Sequence, residues 1–178
     1  MKKLKTLVLL LTCGISNGQN LVPNPSFEDT ATVFCGIFLV ADFNSSVNYW
    51  NSPTQGTPDL YSTAVNQSCW KYPPNSTYGG PIGLKGTQLP RTGEIFAGLG
   101  CYTISGFNQR EYIQTQLVSP LISGNSYYVE FYVSLADNVE KYTDKLGAYF
   151  SDTPITSNTD QPLVYIPQIA ATSFISET

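Results

Sequence analysis

Residues 110–137 read REYIQTQLVSPLISGNSYYVEFYVSLAD, two alternating apolar and polar segments around a Pro120, Gly124 and Asn125 turn. That is the pattern of a half-buried antiparallel hairpin, and it commits the chain to the β class. In the second arm Tyr127, Val129, Phe131, Val133 and Leu135 share one face, while Tyr128, Glu130, Tyr132, Ser134 and Ala136 share the other, because side chains on a strand repeat every two residues. The first set is expected to make core, at roughly 10 kcal/mol gross for the five side chains, an upper bound since the unfolded chain already hides part of that area. The second set meets water or a partner.

The start of the chain sets the compartment. Lys2, Lys3 and Lys5 precede an apolar run from Leu7 to Ile15 that is too short to span a bilayer, and Ser16-Asn17-Gly18 supplies small residues for a signal peptidase. Residues 1–18 are therefore expected to be a signal peptide cleaved before Gln19. Cys13 after Leu10-Leu11-Thr12 opens lipoprotein processing as the alternative. Of the 178 residues, 160 remain after cleavage, with six basic residues against thirteen acidic ones, a net charge of −7. No cluster of Lys and Arg survives to neutralise phosphates, so nucleic acid and anionic membrane are not expected partners. No other stretch is long and apolar enough to cross a membrane.

Residues 19–178 read as one domain, truncated at its C-terminal end. NLVPNPSFE (20–28) is a short extended entry, residues 33–43 are strand or loop, and residues 51–91 are a turn-rich insertion with few strands. Strands resume at Glu94–Leu99, in the hairpin, at Lys145–Phe150 and at Leu163–Ile166. Such an arrangement, with no helical periodicity, predicts an all-β antiparallel sandwich, most simply a jelly roll.

Three cysteines follow the leader: Cys35, Cys69 and Cys101. In an oxidising compartment this predicts one disulfide and one remaining thiol. Cys35 and Cys69 lie in loop-like sequence and are the expected pair; Cys101 ends a strand and is the expected odd one. With no His and no paired ligand spacing, zinc is a poor fit.

For a saccharide site, physics asks for aromatic faces flanked by hydrogen-bonding groups. Tyr128 and Tyr132 with Glu130 between them meet that need, with Tyr149 able to join from a neighbouring strand. The competing reading is that these tyrosines only stabilise the sheet through cross-strand pairs. Trp50 and Trp70, with Tyr72, form a second candidate, against a satellite core under the long loop. Arg91 and Arg110 with Glu111 are candidates for an acidic ligand group, against bridges that position loops. Asp59 in TPDLY is expected to cap a turn. With no His, no nucleophile elbow and no phosphate loop, no reaction is indicated; two of the thirteen acids would have to act as a glycosidase pair.

NLVPNPSFE behind a signal peptide, WNSPTQGTPDLY (50–61), LPRTGEIFAGLG (89–100), the 110–137 block and KLGAYFS (145–151) together resemble the N-terminal module of secreted Bacteroidota cell-envelope proteins. Such modules precede OmpA-like domains or gliding-motility and type IX secretion sorting domains. The resemblance implies a β-sandwich similar to galactose-binding-like carbohydrate-binding domains, secreted or at the cell surface, with a polysaccharide or an envelope protein as partner. It also implies a structural calcium held by Glu28 and Asp137, the alternative being ordinary exposed or hydrogen-bonded carboxylates; no other cofactor is expected. The leading functional expectation is a noncatalytic glycan-binding module. A structural or protein-interaction spacer and a glycoside hydrolase fragment are the alternatives.

Overall fold

The computed structural model describes residues 18–31, 40–62, 82–83, 86–87, 89–101, 108–136 and 143–173. In chain order the elements are a two-turn helix α1 (Val40–Ser46), then β1 (Trp50–Asn51), β2 (Asp59–Ser62), β3 (Ile82–Gly83), β4 (Gly86–Thr87), β5 (Ile95–Gly98), β6 (Gln114–Thr115), β7 (Gly147–Ala148) and β8 (Ile169–Ala170). The strands pair as four antiparallel two-stranded sheets, β1 with β6, β2 with β5, β3 with β4 and β7 with β8. The class is all-β with small antiparallel sheets. β5 and β7 fall where alternation places strands, whereas residues 163–166 are not in a ladder and β8 lies just beyond them. Residues 40–46, read as strand or loop, are helical.

Why the core lies where it does follows from β2. Its side chains alternate between half-buried Asp59 and Tyr61 and buried Leu60 and Ser62, the period of a strand with one covered face. Leu60 meets Phe43 of α1 and Val47 just after it, and Phe27, Trp50, Ile95, Ala97 and Ile113 close around these three. Burying each of the three is worth about 1.5–3 kcal/mol. On the other side of the β2–β5 pair Tyr61 stacks on Phe96, with centroids 5.1 Å apart and planes 19° apart.

The turn-rich segment 52–58 is not a surface insertion. Ser52, Pro53, Thr54, Gly56 and Pro58 are all buried. Burial is tolerable because the loop satisfies its own polar groups. The Ser52 amide donates to Asn44 Oδ1 (2.7 Å), the Ser52 hydroxyl reaches the carbonyls of Thr54 and Gly56 (3.1 Å each), and the Gly56 amide donates to Thr54 Oγ1 (3.1 Å). Residues 157–159 lie against it, Ser157 donating to the Pro53 carbonyl (2.8 Å) and Gln55 to that of Thr159 (3.1 Å).

The largest departure from expectation is the 110–137 hairpin. Its turn is present: Gly124 adopts φ 87, a left-handed conformation that glycine takes without penalty, and the Asn125 amide donates back to Ile122 (3.1 Å). The arms are not paired with each other. The first arm instead pairs Gln114–Thr115 with β1, sends the Val118 amide to the Leu21 carbonyl (2.9 Å) and takes residues 155–163 alongside. There Gln114 Nε2 donates to Asn51 Oδ1 (2.8 Å) and the Ile155 carbonyl (3.0 Å), Gln114 Oε1 accepts from the Ile155 amide (3.1 Å), and Tyr112 Oη accepts from Leu163 (3.1 Å). The second arm is extended without a ladder, and its expected core face is open: Tyr127, Phe131 and Val133 are 40%, 46% and 48% exposed, with Val129 and Leu135 half-buried. Alternation determines which side chains share a face, but not which layer lies across from them; among the described residues no second layer covers this face.

Candidate functional site

The NPSFE block turns out to be a structural clip. Asn24, at φ 45, sends Nδ2 to the carbonyls of Asp29 (2.9 Å) and Asn48 (3.0 Å) and accepts the Asp29 amide on Oδ1 (3.0 Å). Its own carbonyl accepts the Trp50 indole N–H (2.9 Å), and Phe27 packs on the Trp50 ring with centroids 5.1 Å apart. Trp50 is thus held against the core edge. Asp29 continues the clip, receiving Asn48 through Nδ2 on Oδ1 (2.6 Å) and through the backbone amide on its carbonyl (3.0 Å).

Glu28 makes the tie between the first segment and a later strand that the resemblance assigned to calcium. Its Oε1 accepts the amides of Glu94 and Ile95, both at 2.9 Å, at the entrance to β5. An oxygen already engaged by two amides is a poor fit to an ion that takes six to eight oxygens. Among the described residues no three Cys, Asp or Glu side chains converge; Asp137 lies outside them.

Tyr128, Glu130 and Tyr132 are all exposed on the second arm. Tyr128 is 86% and Tyr132 58% exposed. Glu130 accepts a hydrogen bond from the Tyr128 hydroxyl and, with its negative charge, pushes that phenol above its ordinary value. Arg91 places its guanidinium carbon 3.3 Å from the centroid of the Tyr132 ring, a cation–π stack. Tyr149 is brought instead to Tyr165, centroids 4.9 Å apart. Arg110 Nη1 donates to the Gln109 carbonyl (2.7 Å), and Glu111 receives the Gly100 amide and the Thr57 hydroxyl, both positioning loops. Asp59 opens β2 and accepts the Tyr61 hydroxyl (3.2 Å). Cys101 holds a free, half-buried thiol. Trp70, Tyr72, Cys35, Cys69 and the leader up to Asn17 lie outside the described residues.

A second arrangement was not anticipated. Beside the C-terminal end of α1 a cleft of about 400 Å³ is lined by Asn44, Val47, Asn48, Tyr49, Trp50, Asn51 and Gln116. Helix α1 positions Asn44, the β1–β6 register, Trp50 against Thr115 and Asn51 against Gln114, carries Gln116 to the Tyr49 end of the pair, and Tyr49 turns the chain there at φ 73. The dense asparagines of NSSVNYWN were the available signal; their spacing has no meaning until the helix end and the left-handed residue wrap them around one opening.

No family model, no curated protein and no solved structure matches this chain. Among the described residues no helix is long and apolar enough to cross a membrane.

Proposed function

We propose that this chain is a noncatalytic, exported envelope module that binds a surface glycan or another envelope component, on an antiparallel β-sandwich of the jelly-roll type. The observation that carries this reading is the outward pair Tyr128 and Tyr132, with Glu130 and Arg91 supplying charged groups beside the rings. Exposed aromatic faces bordered by hydrogen-bonding groups suit the apolar face and the hydroxyls of a sugar. Both rings lie outside the core of Phe43, Val47 and Leu60, so binding and folding are separable. Polysaccharide pull-down with cell-wall and capsular fractions tests it. The double variant Tyr128→Ala, Tyr132→Ala is expected to lose retention at least tenfold with an unchanged thermal midpoint; full retention overturns the reading.

One feature favours a protein-interaction spacer as the second reading. Phe131 and Val133 are 46% and 48% exposed, and the backbone of residues 126–136 has no hydrogen-bond partner among the described residues. An extended segment in that state is a template for strand addition. Under this reading the chain shows no saccharide affinity, and crosslinking captures a protein through this arm.

A further inference from the structure

From the cleft beside α1 we infer a second binding site, selective for an uncharged, polyhydroxylated ligand of about one or two sugar rings, formed by Asn44, Asn48, Tyr49, Asn51 and Gln116. It is independent of the Tyr128 and Tyr132 surface and stands on three observations. First, the lining contains no ionised side chain: four carboxamides, two aromatic residues and Val47 make it up. A carboxylate or phosphate entering it would give up water without meeting an opposite charge, whereas a hydroxyl, both donor and acceptor, is matched by a carboxamide that offers both.

Second, three of the four carboxamides are fixed at one end with the other end unengaged among the described residues. Asn44 Oδ1 is held by the Ser52 amide (2.7 Å), Asn48 Nδ2 by Asp29 Oδ1 (2.6 Å) and Asn51 Oδ1 by Gln114 Nε2 (2.8 Å). Asn44 Nδ2, Asn48 Oδ1, Asn51 Nδ2 and both ends of Gln116 have no partner among the described residues. The fixed ends restrict the amide planes, so three further donors or acceptors on lining side chains can meet a ligand at reduced entropic cost.

Third, Tyr49 is strained. A tyrosine at φ 73 occupies a region that side chains with a Cβ rarely adopt, and the ring it presents is 62% exposed, so no burial of that ring accounts for the strain. What the conformation accompanies is an exposed Tyr49 side chain in the lining of the cleft. The volume, about 400 Å³, lies near the lower end of the roughly 300–1,000 Å³ found for ligand pockets.

Isothermal titration of the whole exported chain with neutral gluco-, manno-, xylo- and galacto-oligosaccharides of two to six units tests this site, with oligogalacturonate as the charged probe. Millimolar or tighter binding to at least one neutral series and none to oligogalacturonate is expected. Tyr49→Gly should weaken that binding at least tenfold while raising the thermal midpoint, because glycine relieves the left-handed strain. Gln116→Ala should also weaken it, and Val164→Ser, at a fully exposed site, should not. The site is overturned if no neutral oligosaccharide binds, if oligogalacturonate binds equally well, or if binding survives Tyr49→Gly and Gln116→Ala. Loss in Tyr128→Ala, Tyr132→Ala together with survival in Tyr49→Gly assigns the sugar to the tyrosine surface alone and likewise overturns the cleft.

Discussion

The Glu28 carboxylate occupies the space that a side chain on Gly93 would need. A Cβ built on Gly93 would lie 2.6 Å from Glu28 Cδ and closer still to Oε1, and Gly93 itself is at φ 69. The left-handed glycine turns the next two amides toward one carboxylate oxygen, which accepts both. Gly93→Ala combines a disfavoured backbone with this collision and should cost about 2 kcal/mol or more in urea unfolding. Glu28→Ala, at an exposed carboxylate whose amides can turn to water, should cost about 1 kcal/mol. In the Glu28→Ala background the collision is gone, so the alanine at 93 should cost measurably less than it does alone. A double-mutant cycle that comes out additive contradicts this coupling.

Trp50 is expected to behave as a core-edge residue. Trp50→Phe removes the indole donor to the Asn24 carbonyl and part of the contact with Phe27. About 1–2 kcal/mol of stability should be lost by chemical denaturation. An unchanged denaturation midpoint would show that the indole does not contribute to the fold.

Alkaline pH should act through Tyr61. Burial first, then the charge of Asp59 and the hydrogen bond to it, raise the Tyr61 phenol well above its ordinary value. The folded state therefore keeps its proton where the unfolded state begins to lose it. The contribution of the neutral phenol is complete below about pH 10 and declines as pH rises beyond that, by at most about 1.4 kcal/mol per pH unit. Urea midpoints from pH 8 to 11 should fall more steeply for the wild type than for Tyr61→Phe. Parallel curves would exclude a coupled Tyr61.

Cys101 should be a slow thiol. Burial chiefly, and Glu111 after it, push its thiol up, against a smaller opposing effect of Arg110. Less thiolate at a given pH means slower alkylation. Iodoacetamide labelling at pH 8, resolved by peptide mass mapping, should modify Cys101 several-fold more slowly than the same cysteine in urea. Glu111→Gln should speed the native reaction. Equal native and denatured rates would contradict the placement of the thiol.

Local features were readable from residue order, and what they assemble into was only partly so. Ile95–Gly98 and Gly147–Ala148 form strands where alternation places them, and Gly124 makes its turn because a left-handed position after a proline-bounded strand suits glycine. The buried loop 52–58 was unreadable as core. Its prolines and small polar residues carry a surface composition, and only Ser52, Thr54 and Asn44 in place show how its amides and carbonyls are satisfied. The two-residue repeat expects Tyr128, Glu130 and Tyr132 on the side away from the core, and all three are exposed, but so are Tyr127, Phe131 and Val133 of the opposite set. Arg91 on the Tyr132 ring and the asparagine cleft were not legible, since both bring together segments that no periodicity links.

Residue order alone determined the β character, the position of the turn at Gly124 and which side chains of an arm share a face, because these depend on backbone dihedrals and a two-residue period. Tertiary structure alone decided that the first arm pairs with Trp50–Asn51 and that the core forms around Phe43, Val47 and Leu60 rather than Phe131 and Val133. A strand offers the same amides and carbonyls to any neighbour, so its partner is set by which layers bury each other's apolar faces, a property of the packed chain.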